Sequence, residues 1–225
     1  MRKYYKFEID TVKGNILCIL ITIIAIIPAW NIMIKYIENI NMKELGILIF
    51  AYLLWMFLHE ILHGIGHIIC GVKPKDLSFG ASLEKSVLFC LVRREVNKKG
   101  ILFSLIFPFF FIGIVTYIIG VIINSPLLIS LSILNIGGAS MDLTMFLQFI
   151  RLGEDITYIE PGDGTSFYLI SNNNINKLYG LKKVEEGEYN KEMFLNKNNK
   201  VFDISKTSFL LLGIFFICCL ILIFL

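Results

Sequence analysis

At 225 residues, 56% of them apolar and 19 of them Phe, the chain has more apolar side chain than a soluble domain of this length can hide, so a membrane is its expected solvent. A net charge of only +3, with acidic residues among the basic ones, implies no nucleic-acid partner and fits membrane lipid headgroups instead. The cysteines Cys18, Cys70, Cys90, Cys218 and Cys219 are odd in number and lack CxxC spacing, which argues against both a disulfide framework and a thiolate metal site.

In chain order, five stretches approach the roughly 20 apolar residues that a membrane-spanning helix needs. They are 14–34, 45–71, 101–123, 126–150 and 207–225. The first follows Arg2, Lys3, Lys6 and Lys13, but it is long and has no small-residue cleavage site, so it reads as a retained span rather than a secretory signal. Basic residues cluster in the N-terminal segment, in 72–100 (Lys73, Lys75, Lys85, Arg93, Arg94, Lys98, Lys99) and after 150, whereas 35–44 has two and 124–125 none. The positive-inside bias then predicts a multi-pass protein of the cell membrane with a cytoplasmic N-terminus.

Between the spans, two cytoplasmic segments are expected, 72–100 and 151–206. In the first, 77–81 and 87–92 are strand-like about the polar 83–86 and predict a hairpin. In the second, a turn at Pro161-Gly162-Asp163-Gly164 precedes a strand at 166–171, and 172–200, rich in Asn, Lys and Glu, is expected to be partly mobile. The expected fold is an all-α polytopic membrane protein of about five transmembrane helices with a small cytoplasmic strand elaboration, one unit over 1–225.

Among the 21 basic and 18 acidic residues, only Glu60 and Asp142 fall inside these spans. A carboxylate at the centre of a span costs about 2.5–3.5 kcal/mol on insertion scales, so each needs a partner or a purpose. All three histidines of the chain stand beside Glu60, in His59-Glu60-Ile61-Leu62-His63-Gly64-Ile65-Gly66-His67. Residues four apart share a helix face about 6 Å apart along the axis, so His59 and His63 can close on one metal ion with Glu60 next to them as a base. Two imidazoles and a carboxylate suit Zn²⁺ better than Mg²⁺ or Ca²⁺.

Counted from the ends of their spans, Asp142 and His63 lie at similar depth, near the cytoplasmic leaflet, which makes Asp142 the candidate third ligand. His67 competes for that place: it lies on the same face but about 12 Å along the axis from His59, and it otherwise sits beside the ligands. Asn135, two turns before Asp142, is a candidate for substrate binding or oxyanion stabilisation, or for an interhelical hydrogen bond.

The HExxH pentapeptide in one span, Asn135-Ile-Gly-Gly-Ala-Ser-Met-Asp142 in a later one and the strand segment after it resemble a bacterial family of membrane zincin peptidases catalogued as a domain of unknown function. More distantly they are similar to the site-2 intramembrane proteases, which usually present their Asp as Leu-Asp-Gly where this chain has Met141-Asp142-Leu143. The likeness covers about 45–171. It implies a zinc site of His59, His63 and Asp142 with Glu60 as catalytic base, cleaving a peptide or membrane-protein substrate in or next to the membrane. Two other classes stay open: a non-proteolytic metal- or haem-binding membrane protein using the three histidines, and a transporter or partner-binding protein in which the site is structural.

Overall fold

The computed structural model describes residues 2–8, 11–82, 87–160, 166–175 and 181–190. A short N-terminal strand, β1 (Lys3–Glu8), leads into α1 (Thr11–Ile26), a 3₁₀ turn at Ile27–Ala29 and α2 (Trp30–Asn39). Pro28 lacks the N–H a continuous helix would use, and the helix tightens there before resuming. The apolar stretch Ile16–Asn39 is long enough to cross a membrane.

The next helix, α3 (Met42–Ile69), starts at a capping box: the Asn41 side chain accepts from the N–H groups of Lys43 and Glu44, and Glu44 accepts in return from the Asn41 N–H. Two orphan donors are satisfied reciprocally, fixing the first turn. Beyond the C-cap of α3, Cys70, the chain turns away at Gly71, whose φ of 89° is a left-handed conformation glycine adopts without steric cost.

The expected hairpin is present: β2 (Leu77–Ser82) pairs antiparallel with β3 (Val87–Val92), Leu77 opposite Val92 and Ser82 opposite Val87. After β4 (Val96–Asn97), the Asn97 side chain caps α4 (Lys98–Pro108), which widens to a π-helical stretch at Phe109–Val115 and continues as α5 (Thr116–Ile122). Lys98–Ile122 is a third membrane-length helix. The run expected as one span at 126–150 is instead two helices, α6 (Pro126–Gly138) and α7 (Ser140–Phe149), bent by 48° at Ala139.

Three helices are thus long and apolar enough to cross a membrane, or four if the bent pair counts as one. Of the five expected spans, 207–225 lies outside the described residues, as does the turn at Pro161–Gly164. The exposed large apolar residues, such as Ile19, Ile24, Phe50, Leu53, Phe110 and Ile119, sit on these helices, where lipid would cover them.

The strand elaboration is larger than the sequence suggests. With β5 (Thr157–Ile159), β6 (Ser166–Ser171) and β7 (Leu181–Val184), a five-stranded sheet forms in the order β4-β5-β6-β1-β7. One of its interior strands, β1, comes from the N-terminus, pairing antiparallel with β6 and β7. One sheet cannot straddle a bilayer, so the N-terminal segment, the segment after α3 and the segment after α7 lie on the same side. An odd number of crossings between each of them is ruled out, which agrees with the alternation expected from the basic residues.

Phe7, Ile101, Leu105, Phe149, Tyr158 and Leu169, all buried, seat this sheet on the near ends of α4 and α7. A second core of Ala51, Trp55, Ile112, Leu128 and Leu131 joins α3 to the middle of the third span and to α6. Each large side chain so buried contributes about 1.5–3 kcal/mol. Together the two cores hold α3, α4 and the α6–α7 bend as one frame.

Candidate metal centre

His59 and His63 project from one face of α3, as their spacing predicts, with their ring centroids 4.8 Å apart. Their Nε2 atoms are 3.0 Å apart. Into the same point comes Asp142 from the first turn of α7, its Oδ2 3.1 Å from His59 Nε2 and 3.5 Å from His63 Nε2. Two zinc ligands at ~2.1 Å bonds and a tetrahedral angle are separated by about 3.4 Å, so these three atoms have the spacing of one face of a zinc tetrahedron. The donor set fits the ion in both chemistry and geometry. The three side chains remain 12–19% exposed, leaving a side open to a fourth ligand.

The bend at Ala139 is what delivers Asp142. A straight continuation of α6 would carry the carboxylate along the helix axis; the 48° turn redirects the first turn of α7.

Each imidazole is fixed through its other nitrogen. His59 Nδ1 donates to Asn135 Oδ1 at 2.8 Å, and His63 Nδ1 donates to the Ser104 carbonyl at 3.0 Å. Both acceptors place the proton on Nδ1 and turn Nε2 toward the common point, the arrangement that orients metal-binding histidines. Asn135 therefore serves the interhelical hydrogen bond that its position allowed: its amide nitrogen, donated to the Pro108 carbonyl at 3.4 Å, is also engaged. That bond engages one of the two amide N–H groups, and Asn135 also lines the cavity beside His59 and Glu60.

Ser104 and Pro108 escaped the sequence reading, though a proline within the run 101–123 was a visible signal. Pro108 has no N–H to give the carbonyl four residues back, and that carbonyl is Ser104's. Along the same face, the Pro108 carbonyl accepts from Asn135 and the Ile112 carbonyl from Trp55 Nε1 at 3.4 Å. A proline followed by a π-helical stretch thus turns one stripe of the third span into acceptors for side chains of α3 and α6.

Close approach is required for this. A Cβ on Gly66 would stand 2.8 Å from Ser104 Cα, so only glycine lets α3 come near enough for Ser104 to meet His63 both through its carbonyl and through its hydroxyl, which donates to the His63 carbonyl at 3.0 Å.

Glu60 places a carboxylate oxygen within 4.8 Å of one ring nitrogen of each histidine of the pair. The Cys90 backbone of β3 lies beside it. The hairpin is pressed onto α3 at Gly64, where an added Cβ would meet Phe79 at 2.8 Å and Cys90 Sγ at 3.4 Å. A cavity of about 190 Å³ opens beside Glu60, His59 and Asn135, walled by Tyr52, Trp55, Met56, Leu88, Leu134 and Gly138.

His67 does not join the cluster. It is 2% exposed, and its Nδ1 has no hydrogen-bond partner among the described residues. A straight α3 keeps it one turn beyond His63, so the helix break that would bring it to the ion is absent.

No curated protein and no solved structure matches the chain, and the distant likeness to site-2 proteases rests on the motifs alone. Residues 52–157, however, match the model of a family described as "Putative zincin peptidase". That stretch, somewhat under half of the chain, holds the two histidines, Glu60, the hairpin, Ser104, Asn135 and Asp142, and its match supports a zincin-like reading of the site.

Proposed function

We propose that the chain is an integral-membrane zinc metallopeptidase that hydrolyses peptide bonds within or next to the membrane near its cytoplasmic face. The observation that carries this reading is the mutual spacing of 3.0, 3.1 and 3.5 Å among His59 Nε2, His63 Nε2 and Asp142 Oδ2, with Glu60 alongside. His59, His63 and Asp142 would hold the zinc. When bound, the ion supplies Lewis acidity that polarises a scissile carbonyl and acidifies a water molecule.

Depth supports action close to one face. His63 lies six residues before the end of α3 and Asp142 seven before the end of α7, or about 9–10 Å along each helix, and both ends face the sheet. The segments on that side carry most of the Lys and Arg, which supports a cytoplasmic sheet.

Glu60 is the base. It accepts a proton from the attacking water and returns it to the leaving amine. With the Cys90 backbone beside Glu60, β3 lies next to the reacting centre, where an extended substrate segment can add to its free edge as a strand. Leu88 on the same strand and Trp55, Met56 and Leu134 below it offer an apolar recess for a substrate side chain next to the scissile bond.

A haem reading is less well supported. Two imidazoles on one helix face, with Nε2 atoms 3.0 Å apart, converge on a point and leave no space for a macrocycle between them.

The test is metal content by mass spectrometry on detergent-purified protein, wild type beside His59→Ala and Asp142→Ala. One zinc per chain, lost in both variants, is expected. Zinc that survives loss of Asp142 would move the third ligand elsewhere, and a metal-free wild type would remove the peptidase reading. Glu60→Gln should keep zinc and lose about 10²–10⁴-fold in peptide hydrolysis.

A further inference from the structure

At the helix ends away from both sheets, a second cavity, of about 430 Å³ and open to the surface, lies between α2, the first turn of α3 and the turn ahead of α6. Its size falls in the ~300–1,000 Å³ range of sites that hold a whole small ligand. Asn31, Lys35, Tyr36, Asn39, Glu44 and Asn124 line it. Asn31, Lys35 and Asn39 recur every four residues and so form one polar stripe on α2.

These groups are available to a ligand. Among the described residues, the side chains of Asn31, Lys35 and Asn124 make no hydrogen bond. Asn39 uses only its amide nitrogen, on the Lys35 carbonyl. Glu44 uses one carboxylate oxygen, Oε2, for the capping box, which leaves Oε1 for another donor. A cation with amide donors and a carboxylate in one cavity complement a ligand that carries an anion and a hydrogen-bonding cation close together.

The setting is that of a lipid headgroup. The cavity sits where three apolar helical segments end, the depth at which headgroups meet a membrane protein. Ile37 and Ile123, next in sequence to the cavity residues Tyr36 and Asn124, are 67% and 53% exposed, apolar surface along which acyl chains can lie. A lipid with no cation would set its negative charge against Glu44, and a quaternary ammonium has no N–H to donate to that carboxylate. A phosphate joined to a primary ammonium satisfies both ends.

We propose that this cavity is a phosphoethanolamine-headgroup site for a membrane lipid, with Lys35 and the amides of Asn31 and Asn124 meeting the phosphate and Glu44 the ammonium. It is independent of the metal centre and of the peptidase reading.

Native mass spectrometry of the full chain in detergent, with phosphatidylethanolamine, phosphatidylcholine and phosphatidylglycerol of identical acyl chains, tests it. Wild type should retain the ethanolamine lipid over the other two by up to about fivefold. Glu44→Gln keeps the capping box, since Gln fills the same role at that position, and should bring ethanolamine and choline lipids to parity. Lys35→Met keeps the aliphatic stem and should lower retention of every phospholipid. Unchanged far-ultraviolet circular dichroism and an unchanged elution profile in detergent for both variants report an intact fold. Equal retention of the three headgroups by wild type, or a preference that survives both substitutions, overturns the proposal. So does water-soluble glycerophosphoethanolamine binding as tightly as the lipid, which would make the ligand a soluble compound.

Discussion

The Ser104 carbonyl accepts the Nδ1–H of His63 at 3.0 Å, and it is free to do so because the residue four positions on is Pro108. In an uninterrupted helix the N–H at 108 would compete for that oxygen. The substitution Pro108→Ala supplies the competing donor without adding bulk. It should weaken zinc binding about tenfold or more, the range seen when partners of metal-binding histidines are lost, while leaving helix content intact. Chelator-competition titration reads the affinity. An unchanged affinity would mean that His63 is held by other contacts.

Asn135 gives a second, separable test. Its Oδ1 fixes the tautomer of His59, so Asn135→Leu removes the acceptor and should cost about 10–100-fold in zinc affinity. Asn135→Asp retains an oxygen at the same place and should recover most of the loss. If Leu and Asp variants bind zinc alike, the amide acts only as a link between helices.

Gly64 and Gly66, two residues apart on α3, should respond differently to the same added methyl. At Gly66 the new Cβ would meet the Ser104 backbone at 2.8 Å, and backbone cannot step aside, so α3 and α4 must separate. At Gly64 the nearest atom, also at 2.8 Å, is the far end of the Phe79 ring. Overpacking costs about 1–3 kcal/mol. Gly66→Ala should fall at the upper end and also weaken zinc binding by separating His63 from Ser104. Gly64→Ala should be the milder, with zinc affinity close to wild type. Thermal melting in detergent with a parallel zinc titration distinguishes them, and equal losses of zinc affinity would remove Ser104 from the site.

The contrast between what was and was not legible in the sequence has a physical basis. The helical spacing of His59 and His63 depends on one element, and the hairpin at 77–92 on local alternation; both are properties of contiguous residues and could be read directly. Asp142 was reachable because charge in an apolar run is conspicuous and depth can be counted. The bend at Ala139 was not, since Asn135-Ile-Gly-Gly-Ala-Ser is compatible with a continuous helix and only packing decides. The acceptors Ser104 O and Pro108 O belong to the main chain and leave no side-chain signature beyond the proline. The N-terminal Lys3-Tyr4-Tyr5-Lys6-Phe7-Glu8 stands out for its charge, yet its aromatic residues are buried in an interior strand of a sheet, which is not legible locally because the partners β6 and β7 lie more than 150 residues away in sequence.

That strand carries the last prediction. Phe7 is 3% exposed, packs edge-on against Phe149 with ring centroids 5.5 Å apart, and also touches Phe167 of β6. It therefore ties the sheet to the end of α7, the helix that presents Asp142. Phe→Ala in a core costs about 3–5 kcal/mol, more than a small sheet standing on a bundle can absorb without local opening. In Phe7→Ala, amide hydrogen exchange should accelerate across Ser166–Ser171 and Leu181–Val184, the two strands that β1 joins. The histidine pair, held by Asn135 and Ser104 inside the bundle, should keep its zinc with at most a modest loss through α7. Exchange that stays slow in both strands would show that the sheet stands without this aromatic. Complete loss of zinc would show instead that the sheet and the metal centre open as one unit.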